Sequence, residues 1–145
     1  MASPGFKGGR LAEAREAAGL THEQLAAAVG VFGALRARLW ERGAEQPRPS
    51  LIPLLAHVVQ VDPLELLDVD RGDPPLGALR LAAGLSSRQM GAAAAMSVMS
   101  YHRLENGIGR AAPGERTVVA VADALNVSVE RVEAAIRRTR DDHNT

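Results

Sequence analysis

Apolar residues along this chain gather in short stretches at helical spacing, and most stretches close on a glycine or an asparagine. The first, LAEAREAAG (Leu11 to Gly19), is rich in good helix formers and stops at a glycine suited to a left-handed cap. Thr21 then opens a second helix, with Gln24 three residues on. That pair is a capping box, in which each partner satisfies an otherwise orphaned amide. The second helix is predicted from His22 to about Val29, ending at Gly30, and a third between Phe32 and Arg42, stopping at Gly43. Beyond the loop AEQPRPS, Ser50 is expected to cap a fourth helix running to about Gln60, with Pro53 tolerated in its first turn. Asp62 and Pro63 open a last short turn, LELL.

The same plan returns 65 residues later, from GLT at Gly19 to GLS at Gly84. LGALRLAAG (Leu76 to Gly84) mirrors the first helix, and Ser86 with Gln89 repeats the capping box. A third helix is predicted from Ser97 to Asn106, before Gly107. ERTVVAVADALNV forms a fourth that ends at Asn126, and Ser128 caps a fifth through about Arg138. The tail RDDHNT is expected to fray. DVDRGDPP, Asp68 to Pro75, is acidic and stiffened by proline, and reads as the linker. The reading is therefore all-α: two five-helix domains in tandem, over 1–69 and 76–145, joined by 70–75.

Composition fits that reading. Hydrophobic residues make up 46% of 145 and aromatics only 3%, so the cores must be built from Ala, Leu and Val, which suits packed helices better than sheets. There is no cysteine, which removes disulfides, thiolate metal sites and cysteine nucleophiles. No apolar run approaches the roughly 18 residues of a membrane span, and a cytoplasmic protein is expected. Charge is balanced at 17 basic and 17 acidic residues. Residues 1–73 carry net −2 and residues 74–145 net +2, so contact with a polyanion has to come from local placement.

Two short helices joined by a tight turn, the second ending in Glu-x-Gly, match a helix-turn-helix. Both halves resemble the lambda-repressor-like domain of the Cro and Xre type. The matching words are REAAGLTHEQLA, WERG, RPSL and VDPLELL in the first half, and RLAAGLSSRQM, LENG and VSVERV in the second. The resemblance implies double-stranded DNA as partner and transcriptional regulation as function, in a bacterial cytoplasm and on the nucleoid when bound. It also implies that Asn106 holds a phosphate and that Ser87 and Arg88 lie at the DNA backbone.

In the second half, helical spacing puts Tyr101 and Leu104 inward and Met99, His102, Arg103 and Asn106 on an outward stripe. Arginine can pair with guanine edges and methionine can touch a thymine methyl. Glu105 is expected as a structural partner rather than a reader. The first half has one more residue between Leu25 and Glu41 than the second has between Met90 and Glu105, and two phases are open. Counted back from Trp40, Ala37 and Trp40 face inward and Leu35, Arg38, Leu39 and Arg42 outward. Counted forward from Phe32, that residue, Leu35 and Leu39 face inward and Trp40 becomes marginal. In the first phase Arg38 and Arg42 are DNA contacts, while the outward leucines suit a protein partner better than a base edge. His22 is a candidate phosphate contact, and His57 is expected to be packed or half-buried.

No metal spacing, nucleophile motif or phosphate-binding glycine loop occurs, so neither an enzyme nor a cofactor is expected. The alternative to a DNA-binding regulator is a protein-interaction module that keeps the fold and modulates another regulator, a toxin or the transcription machinery. Homodimerisation is compatible with both.

Overall fold

The computed structural model describes residues 5–109 and 112–144, and among them nine α-helices form two domains of matching layout. The first contains α1 (Gly8–Ala17), α2 (His22–Ala28), α3 (Leu35–Glu41) and α4 (Ile52–Val59), closed by a 3-10 turn at Pro63–Leu66. The second contains α5 (Leu76–Ala82), α6 (Ser87–Ala93), α7 (Val98–Glu105), α8 (Glu115–Leu125) and α9 (Val129–Asn144).

The caps are where the sequence puts them. Gly19 and Gly84 stop α1 and α5 with φ of 74° and 78°, left-handed values that glycine adopts at no steric cost. Thr21 Oγ1 accepts from Gln24 N at 3.1 Å while Thr21 N donates to Gln24 Oε1 at 2.9 Å. Ser86 and Gln89 repeat both bonds, at 3.1 and 2.8 Å. Asp62 Oδ1 accepts from Leu64 N at 2.8 Å, and Ser128 Oγ accepts from Arg131 N at 3.2 Å at the start of α9.

Leu11, Leu25, Trp40, Leu55 and Leu66 build the first core, with Ala37 and Trp40 both buried. Trp40 is thus a core anchor. The phase counted back from Trp40 holds except that Leu39, expected outward, is half-buried, and the one counted forward from Phe32 is overturned: Phe32 is fully exposed and Leu35 largely so. The reason lies in the turn. Six residues, 29–34, separate α2 from α3, whereas four, 94–97, separate α6 from α7. The longer turn carries Phe32 outward at its tip, beside the left-handed Gly33, before α3 begins.

Three further expectations are corrected. Ser50 does not cap the fourth helix: the chain enters α4 through a 3-10 turn at Pro49–Leu51, where Leu51 N bonds to Arg48 O, and Leu51 takes the cap position without a side-chain bond. His57 is exposed, not packed, because the apolar face of α4 runs through Ile52, Leu55, Ala56 and Val59. The segment after Arg138 does not fray but continues α9 to Asn144, with Thr145 outside the described residues. Arg138 bridges Asp142 on its own helix and Asp73 in the connecting segment, at 3.1 and 3.0 Å, and Thr139 Oγ1 accepts from the buried Leu76 N at 2.9 Å.

The two domains share packing. Ile52, Leu64 and Leu67 of the first domain lie in the core of the second, with Leu76 and Leu79, and Pro53 sits close against Gly84. The N-terminal stretch adds an antiparallel bridge between Phe6 and Leu67, with Lys7 N donating to Leu66 O at 2.6 Å and Asp68 N to Gly5 O at 2.9 Å. The contact is head-to-tail: the end of the first domain meets α5, the first helix of the second.

Candidate nucleic-acid interface

Each helix-turn-helix is held by a buried ion pair. In the second domain Arg80 of α5 forks onto Glu105 at the end of α7, Nε to Oε1 at 2.6 Å and Nη2 to Oε2 at 3.3 Å. Its Nη1 donates to Leu85 O at 2.9 Å, in the corner between α5 and α6. In the first domain Arg15 does the same to Glu41, at 2.6 and 3.1 Å, and to Leu20 O at 2.9 Å. Such a bidentate bond fixes both distance and orientation, so each pair ties the first helix, the corner after it and the end of the third helix together.

The second lock is the more enclosed. Arg80 and Glu105 side chains are 7% and 4% exposed, against 10% and 8% for Arg15 and Glu41. Tyr101 adds a third member, its hydroxyl donating to Glu105 Oε1 at 3.1 Å, and burial together with the Glu105 charge pushes its ionisation well above the usual tyrosine range. In the first lock the third member is His22, whose Nε2 lies 3.0 Å from Glu41 Oε1. Hydrogen bonding to Glu41 holds the Arg15 guanidinium above its ordinary value. Glu105 is a structural partner, as expected, while the roles of Arg15 and Arg80 were not assigned from the chain. The signal was present: both arginines stand five residues before the Leu of the Gly-Leu corner in each copy.

The outward stripe of α7 rests on this lock. Met99, His102 and Arg103 are exposed while Tyr101 is fully buried behind them. Ser97 caps the helix, accepting from Ser100 N at 3.0 Å. Asn106 is half-buried at the end of the helix, its Nδ2 donating to His102 O at 2.7 Å, which leaves one N–H of the amide directed elsewhere. On α6, which packs against α7, Arg88 is exposed and Ser87 half-buried.

The first domain presents a different face. Arg38 is exposed and lies 3.5 Å from Glu23, Arg36 pairs with Glu45 at 2.9 Å, and Arg42 is exposed just past α3. His22 is half-buried and turned onto Glu41 rather than standing out from the surface. The sequence-predicted residues therefore separate: those of α6 and α7 surround one helix-turn-helix, and those of the first domain divide between its lock and its surface. Among the described residues no cluster of three metal-ligating side chains occurs, and no helix is long and apolar enough to cross a membrane.

No curated protein and no solved structure matches this chain. A family model described as a helix-turn-helix domain matches it twice, over residues 8–68 and 76–135. Those spans take in α1 through the 3-10 turn at Pro63–Leu66, and α5 through the first turns of α9. The chain belongs to the helix-turn-helix domain family and carries that domain in two copies.

Proposed function

We propose that this protein is a sequence-specific DNA-binding transcriptional regulator of the Cro and Xre type, acting in a bacterial cytoplasm, with residues 1–69 and 76–145 as its domains and 70–75 between them. The second domain is its main reader. The observation that carries this is the pairing of an exposed Met99–His102–Arg103 stripe with the buried Arg80–Glu105–Tyr101 lock beneath it. A recognition helix must present its side chains rigidly, and here helix α7 is fixed at its end by a bidentate bond. Arg103 is assigned to a guanine edge and Met99 to an apolar base feature, with His102 beside them. Asn106, Ser87 and Arg88 go to phosphates, which set register without reading sequence. Arg38 and Arg42 give the first domain its own phosphate contacts.

Selection of bound duplexes from a randomised pool, followed by mobility shift of the full chain across a salt series, tests the proposal. A discrete motif and an affinity that falls as salt rises are expected, and Arg88→Ala should weaken all duplexes alike while lowering the salt slope by about 1. No shift with any duplex near ~50 mM salt would sink it. A stoichiometric protein partner in that circumstance would establish the interaction-module alternative.

A further inference from the structure

The first domain carries hydrocarbon where the second carries its reader. With Glu41 aligned on Glu105, Leu35 takes the place of Met99 and Leu39 that of Arg103. Leu35, in the first turn of α3, is 64% exposed, and Phe32, at the tip of the turn before it, is fully exposed. The N-terminal end of a recognition helix is the part that meets base edges, and both side chains lie at that end.

The exposed charges of the helix behind this tip are cationic. The exposed charged side chains of α3 are Arg36 and Arg38, and Arg42 follows directly, whereas Glu41 is turned into the lock. The partners of Arg36 and Arg38 are Glu45 and Glu23, in surface pairs that are weak and exchange readily for a phosphate. A hydrocarbon tip on a helix that carries three guanidinium groups along its length complements a polyanion that displays methyl groups. The major groove at thymine is such a surface, since the thymine methyl is the apolar feature of a base edge there.

We infer that the first domain reads thymine, through contact of Leu35 and Phe32 with thymine methyl groups, while Arg36, Arg38 and Arg42 hold the flanking phosphates. The inference rests on the DNA-binding reading above and adds to it the base class of the first half-site. The bound sequence is therefore composite: a half-site recognised by hydrocarbon beside one recognised by Arg103.

The test uses the full chain and the duplex selected above. Each thymine is replaced in turn by deoxyuridine, which keeps base pairing and removes only the methyl group. One or two replacements in one half of the site should each weaken binding about fourfold, the effect of losing one buried methyl-sized group. Leu35→Ala and Phe32→Ala should lower affinity for the thymine duplex and leave affinity for the deoxyuridine duplex unchanged. Both side chains are exposed, so circular dichroism should report an unaltered fold. An affinity indifferent to every replacement overturns the inference, as does a loss in the variants that is equal on both duplexes. Capture of a protein partner through Phe32, with DNA affinity untouched by Phe32→Ala, overturns it as well. Binding that depends on Arg103 without methyl dependence removes this inference alone, whereas failure to bind any duplex removes the parent reading with it.

Discussion

In α3 and α7 the same buried carboxylate, Glu41 in one and Glu105 in the other, takes the fork of an arginine from the first helix of its domain. What stands on the far side of each helix is nevertheless unlike. Behind Glu105 the turn is four residues long, Ser97 caps the helix, and Met99, His102 and Arg103 project. Behind Glu41 the turn is six residues long, Ala34 offers no side-chain cap, and Phe32 and Leu35 project. The scaffold is thus duplicated through its polar interior, and the copies diverge in the turn and at the surface. A lock buried beneath the surface lets the exposed face change without loss of fold.

The sharpest way to break the comparison is at the locks. Glu105→Ala leaves Arg80 buried without its counter-charge and should cost about 3–5 kcal/mol. Glu41→Ala should cost less, because Arg15 retains Glu16 at 3.6 Å and is somewhat more exposed. Thermal unfolding followed by circular dichroism should order them wild type, Glu41→Ala, Glu105→Ala. Equal losses would mean that the two locks do the same work.

A smaller effect is expected in the turns. Gly30 and Ala95 occupy equivalent places after α2 and α6, and both are left-handed, at φ 76° and 56°. An alanine there costs about 1 kcal/mol relative to glycine once the freer unfolded chain of glycine is set against the strain. Ala95→Gly should therefore raise Tm by a few degrees and Gly30→Ala lower it by a similar amount. Nothing lies within 4 Å of the position a Gly30 Cβ would occupy, so the loss would be conformational rather than steric. Opposite signs sharpen the equivalence of the two turns, and like signs break it.

Local chemistry explains what could be read from the chain. Capping boxes and glycine stops each follow from spacing within a few residues, and spacing also put Tyr101 inward and Glu105 on the structural side of α7. What spacing could not settle depended on distant partners. The bridge between Phe6 and Leu67 joins segments about 60 residues apart and leaves no periodic trace. The run of α9 to Asn144 depends on Asp73, Leu76 and Gly107 meeting its last turns. No local spacing assigns Ile52, Leu64 and Leu67 to the core of the second domain, and only the fold puts them there. The phase of α3 was undecidable locally, because Phe32, Leu35 and Leu39 have the spacing of a buried face, yet the length of the turn and Trp40 filling the core keep Phe32 and Leu35 outside and leave Leu39 half-buried.

The central claim is that α7 reads bases through Arg103. It is tested most directly by titrating wild type and Arg103→Ala against the selected duplex and against a scrambled one at fixed salt. The account predicts a loss of about 1–3 kcal/mol on the selected duplex, with specificity relaxed at one base position and little change on the scrambled one. An equal loss on both duplexes, or none on either, would contradict it.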